Sequence, residues 1–152
     1  MKYKNIMIGI CISIILILGG TCLKMYFNKR DMQGKIDDSF HYNYNALILN
    51  MWNMTEIAYD ESHLAKLNVE NTRYGALLTT LLPYTSYSRN YYLDEVVGYL
   101  DQASGNDAFI EMPVNRELYQ KLMELNGNFR SVELAENVNN ILAEIVNYAG
   151  SN

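Results

Sequence analysis

The chain offers few groups capable of chemistry, and their spacing limits what they can do. Its two histidines are His41 and His63. Glu56, Asp60 and His63 fall at i, i+4 and i+7, which on an unbroken helix lines two carboxylates and an imidazole along one face. Helix bundles hold metals in this way, but their di-metal sites draw on a Glu-x-x-His element from each of two helices, and the sequence has no Glu-x-x-His. Asp60 therefore reads as the cap of a solvated helix end, and His41, between Phe40 and Tyr42, as a boundary residue. Both thiols, Cys11 and Cys22, sit inside an apolar run. No Gly-x-Ser-x-Gly, Ser-x-x-Lys or phosphate-cradling glycine loop is present. The expectation is a protein that is not an enzyme, with no metal and no cofactor.

Surface chemistry points elsewhere. Tyr84, Tyr87, Tyr91 and Tyr92 surround Arg89 in and just after the segment that opens with Pro83. Tyrosine presents a flat apolar face with a polar tip, a combination suited to protein interfaces and to stacking on sugars. The alternative is that these rings shield the edge of the core while their hydroxyls stay wet. The cluster is the candidate partner-binding edge, its partner an unidentified protein.

The segment that must position everything else runs from Ile6 through Leu16 to Leu23, 18 residues without a charge. At about 1.5 Å per residue it reaches roughly 27 Å, near the hydrocarbon thickness of a bilayer. Lys2 and Lys4 precede it, and Lys24, Tyr26, Phe27, Lys29 and Arg30 follow, a mixture that suits a membrane interface. A retained single-span anchor is preferred to a cleaved signal peptide because a signal h-region is shorter. Lipidation at Cys22 is the third reading, and the residues before it, with Leu18 one place too far back, depart from the lipobox order. Strict counting of basic flanks slightly favours a cytoplasmic domain, whereas the signal-like layout favours export, and export is the expectation.

Residues 31–152 carry seven basic residues against all 17 acidic ones, a net charge of −10, which argues against nucleic-acid binding. Asp31 to Lys35, with Gly34, reads as a hinge. Ile36, Phe40, Tyr44, Leu47, Met51, Met54 and Ala58 then recur at helical spacing, widened by Leu49 and Trp52. This stripe is either a dimerising coiled coil or, preferably, the longest helix of an intramolecular bundle. A turn near 60 to 62, with Asp60 or Ser62 as cap, leads to a helix carrying Leu64, Leu67, Tyr74, Leu78 and Leu81 that stops before Pro83. Leu93, Val96, Val97 and Leu100 mark a third helix ending toward Ser104 to Asp107. Phe109 to Met112 is too short to classify. Asn115 and Ser131 cap two more helices, one with Leu118, Leu122 and Leu125 before Gly127 at C′, one with Leu134, Val138, Ile141, Ile145 and Tyr148 before Gly150.

The expected architecture is all-α, with a membrane anchor over 1–30 and an acidic bundle of four or five helices over 31–152. A single apolar run ahead of a bundle loosely resembles the periplasmic four-helix sensor domains of chemoreceptors and histidine kinases. Those return through a second membrane helix, and residues 31–152 contain no second apolar run. The expected role is a membrane-tethered, non-enzymatic module for protein–protein interaction in a cell-envelope assembly. A sensor accessory with a small-ligand pocket is the second reading, and an enzyme is a distant third.

Overall fold

The computed structural model describes residues 2–56, 60–104 and 116–149, with side chains for 14–54, 60–104 and 116–144. Among them are five helices and no strand: α1 (Lys2–Glu56), α2 (Glu61–Leu81), α3 (Tyr91–Ser104), α4 (Arg116–Gly127) and α5 (Val132–Ala149), with a 3₁₀ turn at Leu82–Tyr84. Helical packing divides the chain into two compact units, Met1–Lys35 and Ile36–Asn152.

In the first unit the expected hinge at 31–35 is helical. Lys35 Nζ donates to Asp31 Oδ2 at 2.7 Å, an i,i+4 pair that supports the helix through Gly34. Ile14 through Leu18 and Leu23 are half exposed or more. Among the described residues no helix is long and apolar enough to cross a membrane. The side chain of Ile6 lies outside those residues, and the expected span through Leu16 and Leu23 stands as a proposal.

The second unit is a helical bundle. Phe40, Tyr44, Leu47, Ile48 and Met51 of α1 are fully buried, so the apolar stripe is spent within one chain and not on a coiled-coil partner. Leu49 departs from its expected place: it is 45 % exposed, and Ile48 takes the core position beside Leu47. Trp52 stacks on Tyr119 of α4 at 4.6 Å between ring centroids. Ala58 lies outside the described residues. Asp60 is the N-cap of α2, accepting the His63 amide at 2.9 Å, and α2 stops at Leu81, two residues before Pro83.

α3 packs on α2 and α5, and α5 on α4. All four expected core residues of α3, Leu93, Val96, Val97 and Leu100, are buried. Gly75 lets α2 approach α3, because a Cβ there would lie 3.0 Å from the Asp101 Cα. Thr72 of α2 donates its hydroxyl to the Ser104 carbonyl at 3.0 Å across the same contact. Asn139 of α5 donates to Glu95 of α3 at 2.6 Å.

The helix ends differ from expectation in one respect. Gly127 is the last residue of α4 without a left-handed backbone, and the Asn128 amide closes the end on the Leu125 carbonyl at 2.9 Å. A tight α4–α5 connection, Asn128 to Ser131, removes the need for a C′ glycine. Ser131 caps α5 by accepting the Leu134 amide at 3.2 Å. Residues 105–115, including Phe109 to Met112 and Asn115, lie outside the described residues, as do Gly150 and the side chains of Ile145 and Tyr148.

Candidate functional site

Two connections, residues 82–90 and 128–131, meet at one end of the second unit, and short-range polar chemistry shapes both. In the first, Thr85 is buried and donates its hydroxyl to the Leu82 carbonyl at 2.8 Å, turning the chain after the 3₁₀ helix. Ser86 then donates its amide to Asp37 Oδ1 at 2.8 Å, and the Tyr87 hydroxyl donates to the Asp37 carbonyl at 3.1 Å. These bonds tie the loop to α1. Asn90 begins α3, its carbonyl and side-chain oxygen both accepting the Leu93 amide. Its side-chain amide reaches the other connection, donating to the carbonyls of Phe129 (2.9 Å) and Ser131 (3.2 Å).

An aromatic cluster lies beneath. The Phe129 ring stands 5.1 Å from Phe40, 4.8 Å from Tyr44, 5.1 Å from Tyr87 and 4.6 Å from His41, centroid to centroid. The contacts with Phe40 and Tyr44 are edge to face, a geometry that adds to area burial, and those with Tyr87 and His41 are tilted. The Tyr44 hydroxyl is fully buried without a hydrogen-bond partner among the described residues, and burial pushes its ionisation well above the usual phenol range. Tyr87 is pushed up as well, by burial first and then by the charges of Asp37 and Asp38, with Arg130 opposing them.

Above the cluster are two adjoining open clefts that share Ser86, Tyr87 and Arg130. One, about 300 Å³, is bounded by Asp37, Asp38, His41 and residues Gly127 to Arg130. The other, about 230 Å³, is bounded by Arg89, Asn90 and Val132. Arg130 Nη2 donates to the Ser86 hydroxyl at 3.0 Å between them. His41 Nδ1 is bound to Asn126 Oδ1 at 3.2 Å, a boundary position as its sequence context suggests. The Ser86 hydroxyl accepts from a guanidinium and His41 Nδ1 is bound to an amide oxygen, and among the described residues the two side chains are not hydrogen-bonded to each other. This geometry is suited to binding charged groups.

The expected tyrosine edge is divided by the structure. Tyr84 (66 % exposed), Tyr91 (68 %) and Arg89 are at the surface, and Tyr92 is half-buried with its hydroxyl donating to Glu136 at 3.1 Å. The Tyr91 and Tyr92 rings meet edge to face at 5.7 Å. Hydrogen bonds to Glu95 and Glu136 push the two hydroxyls' ionisation upward. Tyr87 must be corrected: it is 6 % exposed, a core residue whose ring is enclosed by Phe40, His41 and Phe129. Phe129, Arg130 and Asn90 were not legible as site residues. Phe129 falls between helices outside any stripe, and the one signal is that Asn90 and Ser131 each follow an arginine at a helix start.

The other candidates stay separate. Asp60 accepts from the Ser62 hydroxyl (2.8 Å) and lies 2.9 Å from His63 Nδ1, a local capping arrangement. The side chain of Glu56 lies outside the described residues. Among the described residues no group of three or more His, Cys, Asp or Glu could hold a metal ion. Cys22 is a free, exposed thiol in the first unit. Comparison with family models, with curated proteins and with solved structures returns no match, so the reading of this chain rests on its own geometry.

Proposed function

We propose that the protein is a membrane-tethered, non-enzymatic helical module whose bundle binds a protein partner in a cell-envelope assembly. The observation that carries this reading is the exposure of Tyr84, Arg89, Tyr91 and Val132 around the start of α3 and α5. Tyrosine and arginine dominate the energetics of protein interfaces, and here they are mounted on hydrogen-bonded connections that lose little freedom on docking. The half-exposed apolar side chains Ile14 to Leu18 and Leu23, flanked by Lys24, Lys29 and Arg30, support the tether. An extracytoplasmic bundle is part of the same proposal, on the basic Lys2 and Lys4 ahead of the apolar run. Among the described residues the two clefts at this end are open and at or below the roughly 300 to 1,000 Å³ of small-molecule sites, which gives a sensor with an enclosed ligand pocket less support there.

Photo-crosslinking in intact cells tests the reading. A photoreactive phenylalanine analogue at Tyr84 or Tyr91 should give adducts with the same partner, and the analogue at Val69, exposed on α2, should give none. Equal adducts from all three positions, or none from the tyrosine positions, would sink it. Protease accessibility in cells against lysates, with sequencing of the mature N-terminus, tests the tether and its orientation. Complete extraction of the full-length chain by alkaline carbonate would count against an anchor.

A further inference from the structure

We infer that the cleft between Arg89 and Arg130 receives a carboxylate from an acidic segment of the partner, an inference that rests on the proposed protein-binding role. The cleft is lined by Ser86, Tyr87, Arg89, Asn90, Arg130 and Val132, two guanidiniums and no carboxylate, while Asp37 and Asp38 bound the adjoining cleft that shares Arg130. This composition is unusual for a domain whose seven basic residues face 17 acidic ones. Among the described residues neither guanidinium has an ion pair, whereas Lys35 and Lys121 pair with Asp31 and Glu124. Arg130 has one nitrogen on the Ser86 hydroxyl, which fixes its direction and leaves further donors in its fork.

The fold holds these like charges together without help from their own interaction. Arg89 and Arg130 immediately precede the N-caps Asn90 and Ser131, and the Asn90 amide bonds to the Ser131 carbonyl. Two helix starts, of a 14-residue and an 18-residue helix, therefore converge here, each carrying an acidic residue in its first turn, Asp94 and Glu133, that offsets the positive end of its dipole. A planar guanidinium matches a carboxylate by two parallel bonds, and this match is strengthened where water is partly excluded. Val132, 55 % exposed, supplies an apolar rim for the methylenes of an aspartate or glutamate side chain. At about 230 Å³ the cleft admits a side-chain-sized group more readily than a cofactor-sized ligand.

The test uses the full-length chain in nanodiscs of neutral lipid and a fluorescent, end-capped dodecapeptide rich in glutamate, with its glutamine counterpart as control. The glutamate peptide should bind and the glutamine peptide should not. Arg89→Gln, Arg130→Gln and Arg130→Lys should each weaken binding about tenfold or more. Arg116→Gln on α4 should leave it unchanged, and circular dichroism checks that each variant keeps its helices. Equal binding of both peptides, an equal loss in Arg116→Gln, or displacement by inorganic phosphate at concentrations where acetate has no effect would overturn the carboxylate assignment. Peptide failure with intact crosslinking from Tyr84 and Tyr91 refutes this inference alone; loss of that crosslinking refutes the partner-binding edge itself.

Discussion

The side-chain amide of Asn90 donates to the backbone carbonyl of Phe129 at 2.9 Å, joining the start of α3 to the connection that precedes α5. One buried asparagine thus caps a helix, satisfies two carbonyls of another segment, and holds the backbone from which Phe129 enters the core.

Asn90→Ala should destabilise the bundle by about 2 to 4 kcal/mol, since it removes a cap and leaves the buried Phe129 carbonyl without this donor, while the Ser131 carbonyl keeps the Ala135 amide. Asn90→Asp retains a capping oxygen but cannot donate and sets a carboxylate against the same carbonyls, so it adds repulsion to the loss of the staple. Thermal unfolding of both variants checks this, and an unfolding temperature for Asn90→Asp equal to wild type would show that the bonds to Phe129 and Ser131 contribute nothing.

The aromatic cluster predicts opposite outcomes for two neighbours. Phe129→Ala removes the ring that touches Phe40, His41, Tyr44 and Tyr87 and should cost about 3 to 5 kcal/mol. Tyr44→Phe deletes a buried hydroxyl with no partner among the described residues and should be neutral or stabilising by up to about 1 kcal/mol. Chemical denaturation measures both, and a strongly destabilised Tyr44→Phe would mean that the hydroxyl is satisfied after all. Tyr87→Ala should unfold the site, so it cannot report on partner binding.

At Gly75 the expected sign opposes helix propensity. Alanine is the better helix former, yet its Cβ would lie 2.5 Å from Ser104 Oγ and 2.7 Å from Asp101 Oδ1, and Asp101 Cα is backbone that cannot rotate away. Gly75→Ala should destabilise by about 1 to 3 kcal/mol through overpacking between α2 and α3. Adding Ser104→Ala should recover part of the loss, and strict additivity in the double mutant would place the strain elsewhere.

Acid should act on the start of α2. The Asp60 carboxyl is held down to about 2, against an ordinary 3.8, by the His63 amide first, then the Ser62 hydroxyl and the His63 ring. A carboxyl lowered in the folded state contributes stability above its unfolded value, and that contribution fades as pH falls from about 4 through 2. The Asp60 carboxyl carbon signal should titrate with a midpoint near 2, and Asp60→Asn should keep the cap while abolishing that pH dependence. A midpoint at the ordinary value would show that the cap does not select the charged form.

The sequence determined the helices because their signals are local. The spacing of Phe40, Tyr44, Leu47 and Met51, the caps Asp60 and Ser131, and Pro83 after α2 depend on neighbours within a turn or two. Composition likewise set the acidic character of residues 31–152 and confined both thiols to the apolar run. What only the tertiary structure decided is which loop residues face inward. Tyr84, Tyr87 and Tyr91 look alike along the chain, and Tyr87 alone is turned under by bonds from its own segment to Asp37, 50 positions earlier. Arg89 and Arg130 share a cleft because Asn90 binds carbonyls 39 and 41 positions away. Periodicity carries no record of such partners, since contacts between distant segments are chosen by how the helices pack.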